Sequence, residues 1–146
     1  MRPFAPQRGG PSHVGPAVQV RLPAGVEAPY LARRRLDGLS EYLPPERHAD
    51  ARLLVSELVA NALRHTDAVG EEALGLRVET TSDAVRIEVS DPGSGFAPPS
   101  GPVPRPSPDT SSGRGLFILD SLSDRWGTEP GRERSVVWFE IDRAPG

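Results

Sequence analysis

Apolar residues recur along this chain with two different periods. Val18, Val20 and Leu22 alternate with polar neighbours, as a half-buried strand requires, and Pro23 ends the run. From Ala28 to Leu43 the spacing becomes helical, with Leu31, Leu36, Leu39 and Leu43 apolar and Pro44-Pro45 closing the segment. Glu46 to His65 carries the clearest helical pattern, with an apolar stripe of Ala51, Leu54, Val55, Leu58, Val59 and Ala62. After a polar stretch, Thr66 to Glu72, the period of two returns. Leu74, Leu76 and Val78 form one predicted strand and Val85, Ile87 and Val89 a second. Thr81-Ser82-Asp83 joins them into a hairpin with one dry face and one wet face. Asp91-Pro92-Gly93-Ser94-Gly95 breaks the second strand. Ala97 to Ser112 holds Pro98, Pro99, Pro102, Pro104, Pro106 and Pro108 with no apolar period, which predicts a long mobile loop. Gly113-Arg114-Gly115 opens a further helix with Leu116, Ile118, Leu119 and Leu122 apolar. Gly127 to Arg132 reads as a turn region, and Val136 to Ile141 as a final strand. Trp126 and Trp138 are expected in the core.

Strands and helices in this order lack regular βαβ alternation. They predict an α+β fold, a two-layer sandwich of a mixed, mostly antiparallel sheet with helices on one face. A length of 146 residues suits one domain. The prolines at 3, 6, 11 and 16 make residues 1–16 a predicted disordered tail, with the domain expected over 17–142. A net charge of −3 supplies no global basic field for nucleic acid or anionic lipid. No apolar run approaches the roughly 18 residues of a membrane span, and no signal peptide is visible, so a cytoplasmic protein is expected. Cysteine is absent, which excludes disulfides, thiolate metal sites and cysteine nucleophiles. All 17 basic residues are Arg, which excludes Schiff-base chemistry and a Walker-type lysine.

Three features carry candidate chemistry. Glu57 and Asn61 stand four apart on one face of the long predicted helix, among apolar neighbours. A carboxylate and an amide aimed the same way could hold a hard cation and its water, or position a nucleophile. The same pair also fits an ordinary solvated helix face. Asp91, at a strand end, can accept a hydrogen bond from an exocyclic amine. Gly93 and Gly95 behind it let the backbone approach a flat ring, though an ordinary Gly/Pro turn has the same composition. Gly113-Arg114-Gly115-Leu116 sits at a predicted helix start, where free N–H groups and a partial positive charge suit phosphate. A flexible connection reads equally well there.

The order and spacing of the three resemble the N, G1 and G2 boxes of the GHKL (Bergerat-fold) ATPase superfamily, which includes gyrase, Hsp90, histidine kinases and MutL. More narrowly, Ser56-Glu57-Leu58-Val59-x-Asn61-Ala62-x-Arg64-His65 and Gly113-Arg114-Gly115-Leu116, followed by Asp124-Arg125-Trp126-Gly127 and Val137-Trp138-Phe139-Glu140, look like the small stand-alone ATP-binding proteins of actinobacteria. Those are similar to anti-sigma factor serine/threonine kinases of the RsbW and SpoIIAB type. The resemblance implies ATP and Mg²⁺ as cofactors. It implies Asn61 as the Mg²⁺ ligand, Glu57 as the general base and Asp91 as the partner of the adenine amine. Gly93 and Gly95 would shape the pocket and its hinge, residues 97–112 would form the ATP lid, and Gly113, Arg114, Gly115 and Leu116 would receive the phosphates. His65 is expected to cap and pack. Ser135 stands where the superfamily often has a Thr near the adenine.

The implied function is a protein kinase that phosphorylates a small anti-sigma antagonist and regulates a sigma factor by partner switching. The alternative is a non-catalytic, ATP-gated protein-binding module. The resembled kinases are commonly dimers, so the resemblance admits a homodimer without fixing the oligomeric state, and neither nucleic acid nor membrane is expected as a direct partner. Arg33-Arg34-Arg35 lies in a region those kinases use to contact partners. It also reads as a solvated basic face.

Overall fold

A computed structural model describes residues 13–65, 74–92, 114–129 and 134–143. Five strands form one sheet in the order β1-β2-β3-β5-β4. They are β1 (His13–Leu22), β2 (Leu74–Thr81), β3 (Ala84–Asp91), β4 (Arg125–Glu129) and β5 (Ser135–Asp142). Every neighbouring pair is antiparallel, so the expected mixed sheet has no parallel pair among the described residues. Among the described residues three α-helices accompany it: α1 (Ala28–Arg34), α2 (Pro45–His65) and α3 (Arg114–Leu122). This is the α+β architecture that the alternation predicts. No described helix is long and apolar enough to cross a membrane.

The period of two decides which sheet face goes inside. Val18, Val78, Ile87, Phe139 and Trp126 form one cross-sheet row, and Val20, Leu76, Val89 and Val137 the next. The helices cover this face. Leu36, Leu39, Leu54, Val55, Leu58, Leu119, Phe139 and Ile141 are buried together in the resulting core.

The other face is ionic. Arg86 pairs with Glu88 at 3.1 Å and with Glu140 at 2.9 Å, and Arg125 bonds Glu140 and Asp142. Trp138 projects into this layer, not into the core where the sequence places it. Its parity matches Glu140 rather than Phe139, and Arg86 stacks on its ring at 4.1 Å. Burial pushes the Glu88 carboxyl above its ordinary pKa, with Arg86 acting in the opposite direction.

Several boundaries differ from expectation. β1 begins at His13, inside the segment expected as a tail, and its register shifts between His13 and Ala17. Pro16 lies within this irregular stretch, and β1 is an edge strand, where a missing N–H costs no ladder bond. The first predicted helix stops at Arg34, and a 3₁₀ turn over Asp37–Glu41 replaces its second half. Asp37-Gly38 are weak helix formers and account for the break. Gly127 to Glu129, expected as turn, belong to the edge strand β4. Residues 130–133 lie outside the described residues, as do 1–12 and the Pro-rich segment 97–112.

Candidate functional site

Helix α2 is 21 residues long and opens on Pro45, whose fixed φ suits a first helical position. Its inner stripe seats it across β3 and β5. Asn61 belongs to that stripe rather than to a wet face, being only 5% exposed. Glu57, one turn earlier, is half-buried. An amide at such a site needs a partner, and Arg64 provides it by donating from its guanidinium to Asn61 Oδ1. The three-residue spacing brings the two side chains to adjacent positions on the helix. Arg64 has no assigned role in the sequence reading, although its three-residue distance from Asn61 is a signal in the chain.

Asp91 ends β3 with the parity of Val85, Ile87 and Val89, so it lies on the helix-covered face. It stands directly opposite Ser135, the first residue of β5. Ser135 is buried, and its Oγ lies 3.5 Å from Asp91 Oδ1. The Ser135 position singled out from the sequence is therefore brought to Asp91. Arg134, next along the chain, donates to Ser90 Oγ at 3.2 Å. Desolvation holds its pKa below the ordinary value, Arg21 lowers it further, and Asp91 partly offsets both.

The anchoring of α2 places Asn61 relative to this edge. Arg47, in the first turn, bonds Asp124 Oδ2, which also accepts the backbone N–H of Asp142 at the end of β5. From Arg47 to Asn61 the helix advances about 21 Å. That advance carries Asn61 away from the Arg47–Asp124 tether at the end of β5. The carboxamide and the Asp91 carboxylate both face the layer between the sheet and its helices.

Arg114, Gly115 and Leu116 form the first turn of α3, as the sequence predicts, and only their backbone is described. Gly93, Gly95 and Gly113 lie outside the described residues, and so does the side chain of His65. Among the described residues no cluster of three or more His, Cys, Asp or Glu could hold a metal ion. The donors present do fit a Mg²⁺ ion that arrives with a nucleotide, since such ions take one or two protein oxygens and draw the rest from phosphates and water. Asn61 Oδ1, which accepts from Arg64, would be the protein oxygen that holds it.

Comparison with known proteins agrees with this architecture. A crystal structure of the RsbU and RsbW domains of Rv1364c from Mycobacterium tuberculosis is similar, with a TM-score of 0.68 and 20% identity. The similarity covers 90% of this chain and 34% of that chain, so this chain spans about a third of that protein's length. At this identity the likeness speaks for the fold. No curated protein matches the chain. A family model for the histidine kinase-like ATPase domain matches residues 22–141, from the end of β1 through nearly all of β5. The match takes in α2 with Asn61, the end of β3 and the start of α3, and the chain belongs to the histidine kinase-like ATPase family.

Proposed function

We propose that the protein binds Mg-ATP between α2 and the Asp91 edge of the sheet. There it acts as an anti-sigma-type serine/threonine kinase toward a small antagonist protein, regulating a sigma factor by partner switching. The observation that carries this reading is the buried Asn61 amide, one turn from the half-buried Glu57, on the helix that covers the Asp91–Ser135 face of the sheet. The family match supports ATP as the ligand. The similar fold of a protein carrying an RsbW domain supports the choice of partner class.

In this reading Asp91 accepts the adenine amine, with Ser135 fixing the carboxylate from the neighbouring strand. Glu57 orients the acceptor hydroxyl and takes its proton. The N–H groups of α3's first turn face the phosphates. A bound Mg²⁺ supplies charge neutralisation on the phosphoryl oxygens. Arg64, beside Asn61, adds a second cation near them. Partner docking has a surface to use at α1 and the turn before it, where Tyr30 is 50% and Val26 96% exposed. Arg33 and Arg34 stack there on the Tyr30 ring at 5.9 and 5.8 Å.

The alternative is a non-catalytic, ATP-gated binding module, in which the same pocket binds Mg-ATP without phosphoryl transfer. Calorimetry with Mg-ATP and radiolabel transfer to a candidate antagonist separate the two. The kinase reading expects Asn61→Ala to lose Mg-ATP binding, and Glu57→Ala to keep binding but lose transfer. ATP binding with no transfer by the wild type, across candidate antagonists, favours the module. Absence of adenine-nucleotide binding refutes both.

A further inference from the structure

Arg47 holds the far end of α3. Nη1 donates to the backbone carbonyl of Leu122 at 3.0 Å and to Asp50 Oδ2 at 2.9 Å, while Nη2 donates to Asp124 Oδ2 at 2.7 Å. Leu122 is the last residue of α3, so its carbonyl is one that the helix itself leaves without a partner. A cation at this end also complements the helix dipole. Asp124 is fixed in turn, since its Oδ2 accepts the Asp142 N–H at 2.7 Å and its own N–H donates to the Glu140 carbonyl at 2.9 Å. One partly buried guanidinium thus ties the start of α2 to the end of α3 and, through Asp124, to the last strand.

Helices α2 and α3 pack side by side, with the first turn of one at the last turn of the other, so they run antiparallel. From Leu122 back to Arg114, α3 spans about 12 Å, which brings its N-terminal turn level with the Glu57 turn of α2. Among the described side chains of α3, Leu119 is buried and Ile118 and Leu122 are partly so, and Arg47 adds a polar tether at the C-terminal end of this nine-residue helix.

We propose that Arg47 is a positioning residue for nucleotide phosphates. By fixing the C-terminal end of α3, it sets where the N–H groups of the first turn point, although it lies about 12 Å from them. The inference rests on the nucleotide reading above and adds a residue that touches no ligand. An unpinned α3 populates phosphate-competent positions only part of the time, and apparent affinity falls by that fraction.

The test uses the full chain, Mg-ATP calorimetry and hydrogen exchange. Arg47→Met is expected to weaken ATP binding about tenfold. Exchange over residues 117–122 is expected to speed up while the amides of β2 and β3 keep their protection. Asp124→Asn is expected to reproduce the affinity loss, and the double variant to add little to it. Asp50→Asn, which removes only the contact within α2, is expected to stay within about twofold of wild type. Arg47→Lys recovers one of the two tethers and falls between, and it carries the test with Asp124→Asn if Arg47→Met fails to fold. Wild-type binding with unchanged affinity in Arg47→Met and Asp124→Asn overturns the inference alone. So does an equal loss in Asp50→Asn. Absence of ATP binding by the wild type overturns the nucleotide reading and this inference with it.

Discussion

Gly127 is a sensitive point of the sheet, and the reason is a neighbour rather than a turn. It sits in β4 directly opposite Trp138. A Cβ at this position would lie 2.8 Å from Trp138 Cζ2 and 3.0 Å from both Cε2 and Nε1. Relieving those contacts to ordinary van der Waals separation requires the indole to retreat by about 0.6 Å or more. The indole is rigid and cannot fold away as a long aliphatic chain would. Retreat carries it toward β3, where Arg86 lies on its ring at 4.1 Å while bonded to Glu88 and Glu140. Overpacking of this kind costs about 1–3 kcal/mol. The glycine's lost freedom in the unfolded chain returns about 0.4–1 kcal/mol on substitution. Gly127→Ala is therefore expected to destabilise by about 1–2 kcal/mol in urea unfolding, or roughly 2–6 °C in midpoint for a chain of this size. The cause is checked in a Trp138→Ala background. With the ring gone, the same substitution is expected to be neutral or to stabilise by up to about 1 kcal/mol. An equal loss in both backgrounds would refute the steric argument and point to backbone conformation instead.

Asp91→Asn places an amide where the proposed adenine amine needs an acceptor. It is expected to weaken ATP binding by about 2–3 kcal/mol, roughly 30- to 150-fold, with the thermal midpoint nearly unchanged. A loss below threefold by calorimetry would remove Asp91 from the site. Glu88 supplies a pH dependence whose sign follows from burial. Its folded pKa is raised above the unfolded one, so the folded state binds this proton more tightly. Ionisation then opposes folding. The opposition is absent below the unfolded pKa and fully present above the folded one. Wild type is thus expected to gain stability relative to Glu88→Gln as pH falls from 7 to 4, read by urea unfolding at several pH values. A relative loss over that range contradicts the burial argument.

The elements that could be read from the chain are those whose signal is local. Leu74, Leu76 and Val78, then Val85, Ile87 and Val89, carry their strand pairing in their own alternation, and the stripe from Ala51 to Ala62 carries α2. Strand β4 is legible only once β5 is in place. Gly127 looks like turn chemistry until Trp138 covers it, and five residues are too few to show a period. Trp138 itself is misplaced by composition, because a large aromatic reads as core. Its parity with Glu140 sets it in the charged layer beside Arg86.

The site divides along the same line. Glu57 and Asn61 are legible because four residues make one helical turn, and Asp91 because a strand ends there. The Asp91–Ser135 contact joins residues 44 apart, and the Arg47–Leu122 contact residues 75 apart. Each exists only after strand register or helix packing has closed the distance. Arg64 differs again: its spacing from Asn61 is plain in the sequence, but its rotamer is chosen by the buried oxygen it satisfies. An amide sealed from water demands a donor, and the nearest cation on the same helix answers. A cation that approaches Asn61 therefore meets the Arg64 guanidinium beside its oxygen. Phosphate suits this arrangement, because it presents oxygens to which the guanidinium can also bond. The contact that closes the amide in the free protein thus favours an anionic ligand over a bare cation, and Mg²⁺ without nucleotide is expected to give no heat in the calorimeter.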